Sequence, residues 1–108
     1  MNMDNKELEL AYDLLTAEEE IKLTKAVQDK GTDCDEMKKL CEVYGGFVTS
    51  VAKEYQNNGL SLDELVEAGK TGIAKAALKY DNSRGFRFIS YAVWWIRESM
   101  LYAIANKK

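Results

Sequence analysis

The chain has 108 residues, enough for one hydrophobic core and not for two, and its 46% hydrophobic and 31% charged content is the balance of a soluble globular domain. Its net charge is −3, and it has no histidine and only two cysteines, which argues against a zinc site and against histidine-based acid–base catalysis. There is no run of about 18 apolar residues to span a membrane, and no basic-then-apolar leader, so a cytoplasmic location is expected. No nucleophile with a base partner, glycine-rich phosphate loop or recognisable carboxylate pair stands in the sequence. The chain therefore reads as a non-enzyme with no catalytic residue, metal or cofactor.

The absence of proline and a series of helix-start signals predict an all-α fold, a compact bundle of four to five helices in a single domain over residues 1–108. A first helix is expected from Asp4 to Leu15; its apolar residues are irregularly spaced, so residues 1–15 are read as a loosely attached N-terminal helix. Thr16 and Glu19 form a capping box that opens the second helix, and Gly31 closes it near Lys30. The acidic run Glu18, Glu19, Glu20 falls at the positive end of that helix and is read as dipole compensation.

Asp33 with Glu36 is read as a second capping box. From there Met37, Leu40, Cys41, Tyr44, Phe47, Val48, Val51, Ala52 and Tyr55 recur at helical spacing, the strongest periodic signal in the chain and a core face. Gly45 and Gly46 interrupt it at about 1 kcal/mol of helix propensity each, which fits either a bend or the close approach of a neighbour. Cys34 and Cys41 fall on this one helix about 10 Å apart in rise, beyond disulfide reach. Asn57-Asn58-Gly59 ends the helix. Ser61 and Glu64 then cap the next, with Leu60 and Leu65 as a hydrophobic staple, and it runs to about Tyr80. Gly69 and Gly72 on its apolar stripe are expected where another backbone comes close, and Asn82-Ser83-Arg84-Gly85 is turn chemistry.

The stretch from Tyr80 to Ala105 holds most of the aromatic residues: Tyr80, Phe86, Phe88, Tyr91, Trp94, Trp95 and Tyr102. From Ser90 onward it reads as a helix with two apolar faces. Ile89, Ala92, Ile96, Met100 and Ala103 form an aliphatic face suited to a core, while Tyr91, Trp94, Trp95, Glu98 and Tyr102 lie opposite. This end of the chain is basic (Arg84, Arg87, Arg97, Lys107 and Lys108 against Asp81 and Glu98), whereas the remainder carries an acidic excess. Aromatic rings interleaved with arginines suit single-stranded nucleic acid, on which rings stack at ~1–3 kcal/mol per base. The other reading of the same pattern is a tryptophan-rich core helix with a solvated rim.

The block Y-D-N-S-R-G-F-R-F-I-S-Y-A-V-W-W-I-R, with G-L-S-L-D-E-L-V-E-A-G-K before it, resembles the second conserved region of bacterial primary-type RNA polymerase sigma factors. F-V-T-S-V-A-K-E-Y at 47–55 is similar as well, and L-L-T-A-E-E-E-I-K-L looks like the short region that precedes it, so the likeness covers roughly residues 15–106. The resemblance implies a domain of transcription initiation with two partners. One is the RNA polymerase core, docked through a coiled coil of its largest subunit on Leu62, Glu64, Leu65, Glu67 and Lys70. The other is promoter DNA, whose non-template strand at the minus-ten element is captured as the duplex opens. Carried across, Tyr91 stacks on a flipped adenine, Trp94 and Trp95 form the upstream wedge, and Tyr80, Arg84, Phe86, Arg87, Phe88 and Ser90 line the strand's path. An anti-sigma factor is a further implied partner; a membrane is not.

This chain departs from the family pattern in three places. Glu98, Leu101 and Tyr102 stand where glutamine, threonine and arginine read the upstream duplex, and a carboxylate repels phosphate. Lys70 replaces an asparagine on the docking surface, and Tyr44-Gly45-Gly46 replaces a stretch with asparagine before leucine and arginine. The domains that follow in sigma factors do not follow here, which fits either a part of a longer factor or a short free-standing relative. An alternative function is an interaction module that keeps the polymerase-docking helices, no longer reads DNA and competes with sigma factors. A third reading, a purely structural bundle, requires Trp94 and Trp95 to be buried.

Overall fold

The computed structural model describes residues 5–107, and among these every regular element is helical. Five α-helices follow in order: α1 (Asn5–Tyr12), α2 (Ala17–Lys30), α3 (Asp35–Lys53), α4 (Leu62–Lys79) and α5 (Phe88–Ala105), with a single 3-10 turn at Asn82–Arg84 before α5. The expected all-α bundle is the fold observed. Asp4 and the residues before it, part of the expected first helix, lie outside the described residues.

The two complete capping boxes are those read from the sequence. Thr16 accepts from the Glu19 amide at 3.1 Å while Glu19 accepts from the Thr16 amide at 2.8 Å, and Ser61 and Glu64 exchange the same pair at 3.1 and 2.9 Å. Both glutamates are held below the usual carboxylate range, mainly by the backbone N–H of the cap residue. The box expected at Asp33 does not form. Helix α3 starts at Asp35, with Cys34 at the N-cap and no side-chain cap bond, so Glu36 is one position short of where a box needs it. Glu36 instead pairs with Lys30 at 3.0 Å, latching the end of α2 to the start of α3. Between α3 and α4 the Asn57-Asn58-Gly59 stop is real: Asn57 and Gly59 take φ of 71° and 97°, and the Asn58 amide group donates to the Tyr55 carbonyl at 2.8 Å.

The core is built from the faces that periodicity marked. Leu40, Tyr44, Val48 and Val51 from α3, Leu65, Ile73, Ala76 and Ala77 from α4, and Phe88, Ile89, Ala92, Ile96 and Met100 from α5 are all fully buried. Helices α4 and α5 share the largest interface. Gly72 sets its spacing, because a Cβ there would lie 2.6 Å from the Trp95 carbonyl oxygen and 2.7 Å from the Ile96 Cα. At Gly69 a Cβ would meet side chains instead, Val48 Cγ1 at 2.6 Å and Met100 Cε at 2.8 Å. Gly45 and Gly46 have open space where a Cβ would stand, so close approach is not their reason, and α3 runs through both.

Helix α1 is tied at its C-terminal end. Ala11 and Leu15 are buried in the core, and the Tyr12 hydroxyl is hydrogen-bonded to Ser90 Oγ on α5. The free thiols of Cys34 and Cys41 are partly buried, and burial pushes the Cys41 thiol up.

The glycines give opposite expectations in urea unfolding followed by helical circular dichroism. Gly72→Ala should cost about 3 kcal/mol, since backbone atoms of α5 cannot yield as a flexible side chain can. Gly45→Ala should raise stability by about 1 kcal/mol, the propensity difference in open helix.

Candidate nucleic-acid interface

The aromatic segment is presented by a short, heavily bonded loop between α4 and α5. Helix α4 ends as Tyr80 turns to extended backbone, and the side-chain amide of Gln28, reaching from α2, donates to both the Ala77 and Tyr80 carbonyls at 2.9 Å. Those carbonyls are among the last of the helix and would otherwise lack partners. Asp81 then folds the turn by accepting from the Ser83 hydroxyl at 2.6 Å and the Ser83 amide at 3.0 Å, which hold its carboxyl below the usual range. Gly85 closes the turn at φ 84°, a conformation that favours glycine. The Tyr80 hydroxyl donates to the Phe86 carbonyl at 2.6 Å, pinning the exit of the loop to its entrance.

On this frame the rings form a continuous row. Phe86 and Tyr91 stack with centroids 5.6 Å apart and planes 30° from parallel. Tyr91 meets Trp95 edge-on at 6.3 Å, and Trp95 meets Trp94 edge-on at 5.2 Å. Both geometries are favoured for aromatic pairs. Beside the row lies a cleft of about 400 Å³ lined by Lys79, Asp81, Arg84, Phe86 and Tyr91. Lys79 also places its ammonium 5.8 Å from the Trp95 ring centre, within cation–π range. The arrangement offers flat apolar faces next to two cations, with Asp81 the acid among them.

The sequence-marked residues sort into two layers. Arg84, Phe86, Trp94 and Glu98 are exposed, and Tyr91, Trp95, Ser90 and Arg87 are half-buried. Tyr80 and Phe88 are buried, and they pack against each other edge-on at 5.4 Å beneath the surface rings. These two support the row rather than face solvent. Trp94 is 57% exposed, which removes the reading of a purely structural bundle with both tryptophans inside. The helix itself begins at Phe88, two residues before the expected start.

Arg87 corrects an expectation of a different kind. Its Nε donates to Glu20 Oε1 at 2.7 Å and its Nη2 to the carbonyls of Leu15 at 2.7 Å and Tyr12 at 3.2 Å. Two of the guanidinium nitrogens are thus engaged within the molecule while the side chain stays 32% exposed, and the Glu20 carboxylate holds it further above its ordinary value. Glu20 is not the dipole-compensating surface acid expected of its run. It is completely buried, and it also accepts from the Tyr44 hydroxyl at 3.0 Å and the Phe88 amide at 3.2 Å. Burial first, then the Glu20 charge, pushes the Tyr44 phenol up. The available signal was spacing: Glu20, Thr24 and Val27 share the buried stripe of α2. Lys79, Gln28 and Asp81 were likewise not singled out.

The second set of marked residues lies toward the other end of α4, from roughly 14 Å (Lys70) to roughly 26 Å (Leu62) from Lys79 along the helix axis. Glu64 and Glu67 are exposed, Leu62 and Lys70 half-buried, and Leu65 fully buried as the staple under the helix start. Lys70 lies 3.5 Å from Glu67, and Glu64 lies 3.5 Å from Lys107. Leu60, Asp63, Glu64, Glu67 and Ala103 surround a shallow, acid-rimmed depression of about 420 Å³.

Comparison of the chain with known proteins points to one family. Residues 40–108 match the family model described as Sigma-70 region 2. The chain is 40% identical over 95 residues to the RNA polymerase sigma factor SigA of Listeria monocytogenes, covering 88% of this chain and 25% of that protein. It is 37% identical over 97 residues to SigA of Lactococcus lactis subsp. lactis, covering 89% and 25%. It is 38% identical over 112 residues to SigA4 of Synechococcus elongatus, covering 86% and 36%. The chain thus spans about a quarter to a third of the length of these relatives.

The exposure of the two tryptophans is checked by iodide quenching of their emission. Trp94→Phe should leave a blue-shifted emission from Trp95 that iodide quenches weakly. Trp95→Phe should leave a red-shifted, readily quenched one; equal quenching of the two variants would contradict the arrangement.

Proposed function

The chain belongs to the Sigma-70 region 2 family, as a primary-type sigma factor region 2, and from that premise we propose that it docks on the RNA polymerase core and captures the non-template strand of the minus-ten promoter element. The observation that carries the reading is the ring row Phe86–Tyr91–Trp95–Trp94 beside a cleft bearing Lys79 and Arg84. Extruding a base from a duplex costs a few kcal/mol of stacking and pairing, and a pocket of aromatic faces returns it. Tyr91 and Phe86, which line the cleft, are the faces on which such a base would stack. In this reading Trp94, exposed at the next helical turn, holds the upstream edge of the opened duplex together with Trp95.

Arg84 and Lys79 supply the phosphate contacts in this scheme, giving a salt-dependent term. Arg87, engaged by Glu20, contributes by holding the loop in place, and Phe88 and Tyr80 contribute from beneath. No covalent chemistry is asked of any residue, so the domain acts as a binding factor and not as an enzyme. Polymerase docking falls to the N-terminal part of α4, through Glu64 and Glu67 at the depression and through Leu62 and Lys70 beyond its lining, with buried Leu65 anchoring them. A cytoplasmic setting follows from that partner, and among the described residues no helix is long and apolar enough to cross a membrane.

One observation favours a second reading, a polymerase-bound interaction module that does not read DNA. Glu98 lies on the outer face of α5 near exposed Leu101 and Tyr102, at 45% and 70%, a surface better suited to protein than to phosphate. An anti-sigma factor is one occupant such a face could take.

The two readings separate in a fluorescence titration at low salt with core polymerase present. A single-stranded TATAAT oligonucleotide should quench the tryptophan emission specifically, against a shuffled strand of equal composition. Tyr91→Ala should weaken strand binding by at least about tenfold, one lost base–ring stack, and leave polymerase docking unchanged. Equal weak quenching by both strands, with polymerase bound, would establish the interaction module instead.

A further inference from the structure

Strand capture makes no direct use of Glu20, whose surface is wholly buried, yet its hydrogen bonds converge on the segment that carries the strand-facing rings. Phe88 is the first residue of α5, so its amide is one of the N–H groups that a helix leaves without an internal partner. Arg87 stands at the N-cap with no side-chain cap bond of its own. The Glu20 carboxylate, delivered from α2, fills that role at 3.2 Å and brings a negative charge to the positive end of the helix. The same oxygen receives Arg87 Nε at 2.7 Å, and the second oxygen receives the Tyr44 hydroxyl at 3.0 Å.

A second arm reaches the turn between α1 and α2. Arg87 Nη2 donates to the Tyr12 and Leu15 carbonyls, the guanidinium lies 5.4 Å from the Tyr12 ring centre, and the Tyr12 hydroxyl is bonded to Ser90 Oγ. Residues 87, 88 and 90 are thereby fixed from outside α5, between Phe86 on one side and Tyr91 on the other. Apolar packing of similar volume often stabilises a core as well as a buried ion pair does, so the feature that sets this cluster apart is its directed hydrogen bonds. A charged clamp at this spot is suited to holding the backbone in a single register.

We propose that Glu20 is a positioning residue for strand binding: it caps α5 across the bundle and locks residues 86–91 in the conformation that presents Phe86 and Tyr91 to the cleft. The inference rests on the strand-capture reading above. Glu20→Gln keeps the shape of the side chain and one acceptor oxygen while removing the charge. Bound to core polymerase, the folded variant should bind the TATAAT strand about tenfold more weakly, the loss of one charge-assisted hydrogen bond. Glu18→Gln, an equal charge change at an exposed position of the same helix, should bind like the unaltered chain.

Hydrogen exchange followed by mass spectrometry supplies a readout independent of DNA. Amides of residues 86–91 should exchange faster in Glu20→Gln, while those around Ile73 at the centre of α4 stay protected. Unaltered affinity in Glu20→Gln, or unaltered exchange over 86–91, would overturn the proposal. Failure of the unaltered chain to distinguish TATAAT from the shuffled strand would remove the strand-capture reading; exchange over 86–91 would then decide by itself whether Glu20 holds the segment. Should Glu20→Gln not fold, Tyr44→Phe removes one donor and keeps the buried ring. A threefold loss of strand affinity or more is expected of it, about 0.7 kcal/mol, and no loss would overturn the assignment.

Discussion

The carboxylate of Glu20 has no contact with solvent, and a charge in that position is tolerable only if every part of it is answered. Here the answers come from two other helices and from the residue that opens one of them: the Tyr44 hydroxyl on α3, the Phe88 amide at the start of α5 and the Arg87 guanidinium just before it. Through Arg87 the same charge also holds the carbonyl of Tyr12, at the end of α1, and that of Leu15 in the turn that follows. Four elements separated widely in sequence must therefore be in register before any of these groups can leave water. Removing one partner strands the others, at a cost of about 3–5 kcal/mol for a buried pair.

Helices α4 and α5 supply the other half of the frame. Gly72 allows the two backbones to meet, and the small residues Ala76, Ala77 and Ala92 are buried with it. With its aliphatic face consumed in this way, α5 has no core left for the opposite face. Tyr91 and Trp95 remain half-buried and Trp94 stands out into solvent. Exposed ring area is unfavourable to an isolated domain, which agrees with the strand capture proposed for this face. The loop before α5 is correspondingly well bonded: Asp81, Gln28 and Tyr80 answer its polar groups.

The charge distribution follows the same division. The chain is acidic as a whole, at −3, yet Lys79 and Arg84 stand at the cleft while Asp63, Glu64 and Glu67 crowd the other end of α4. A single helix thus presents a cationic C-terminal end toward the rings and an acidic N-terminal end to the distant face. The polarity agrees with the helix dipole, which favours acids at the first turn and bases at the last. The cationic and the acidic surface therefore lie apart on the molecule.

Much of this was legible in the sequence because it is local. Capping boxes at Thr16 and Ser61, the Asn57–Gly59 stop and the aliphatic and aromatic faces of α5 depend on residues within a turn or two of each other, and helical spacing alone dictates them. The motif from Tyr80 to Arg97 likewise carried the family. Where a local rule had a rival, it failed: Asp33 and Glu36 had the spacing of a box, but Lys30 from the preceding helix took Glu36. The glycines divide along the same line. Gly72 sits on the apolar stripe of α4, where close backbone approach is expected and found, whereas for Gly45 the sequence leaves a bend and a close neighbour both open and only the structure shows open space. Glu20 and Arg87 are the clearest case. As members of an acidic run and a basic loop they read as surface charges, because nothing within a few residues of either reveals the other. Their pairing is a fact of how α2 lies against the start of α5, and burial, which gives that pairing its strength, exists only once the helices have met.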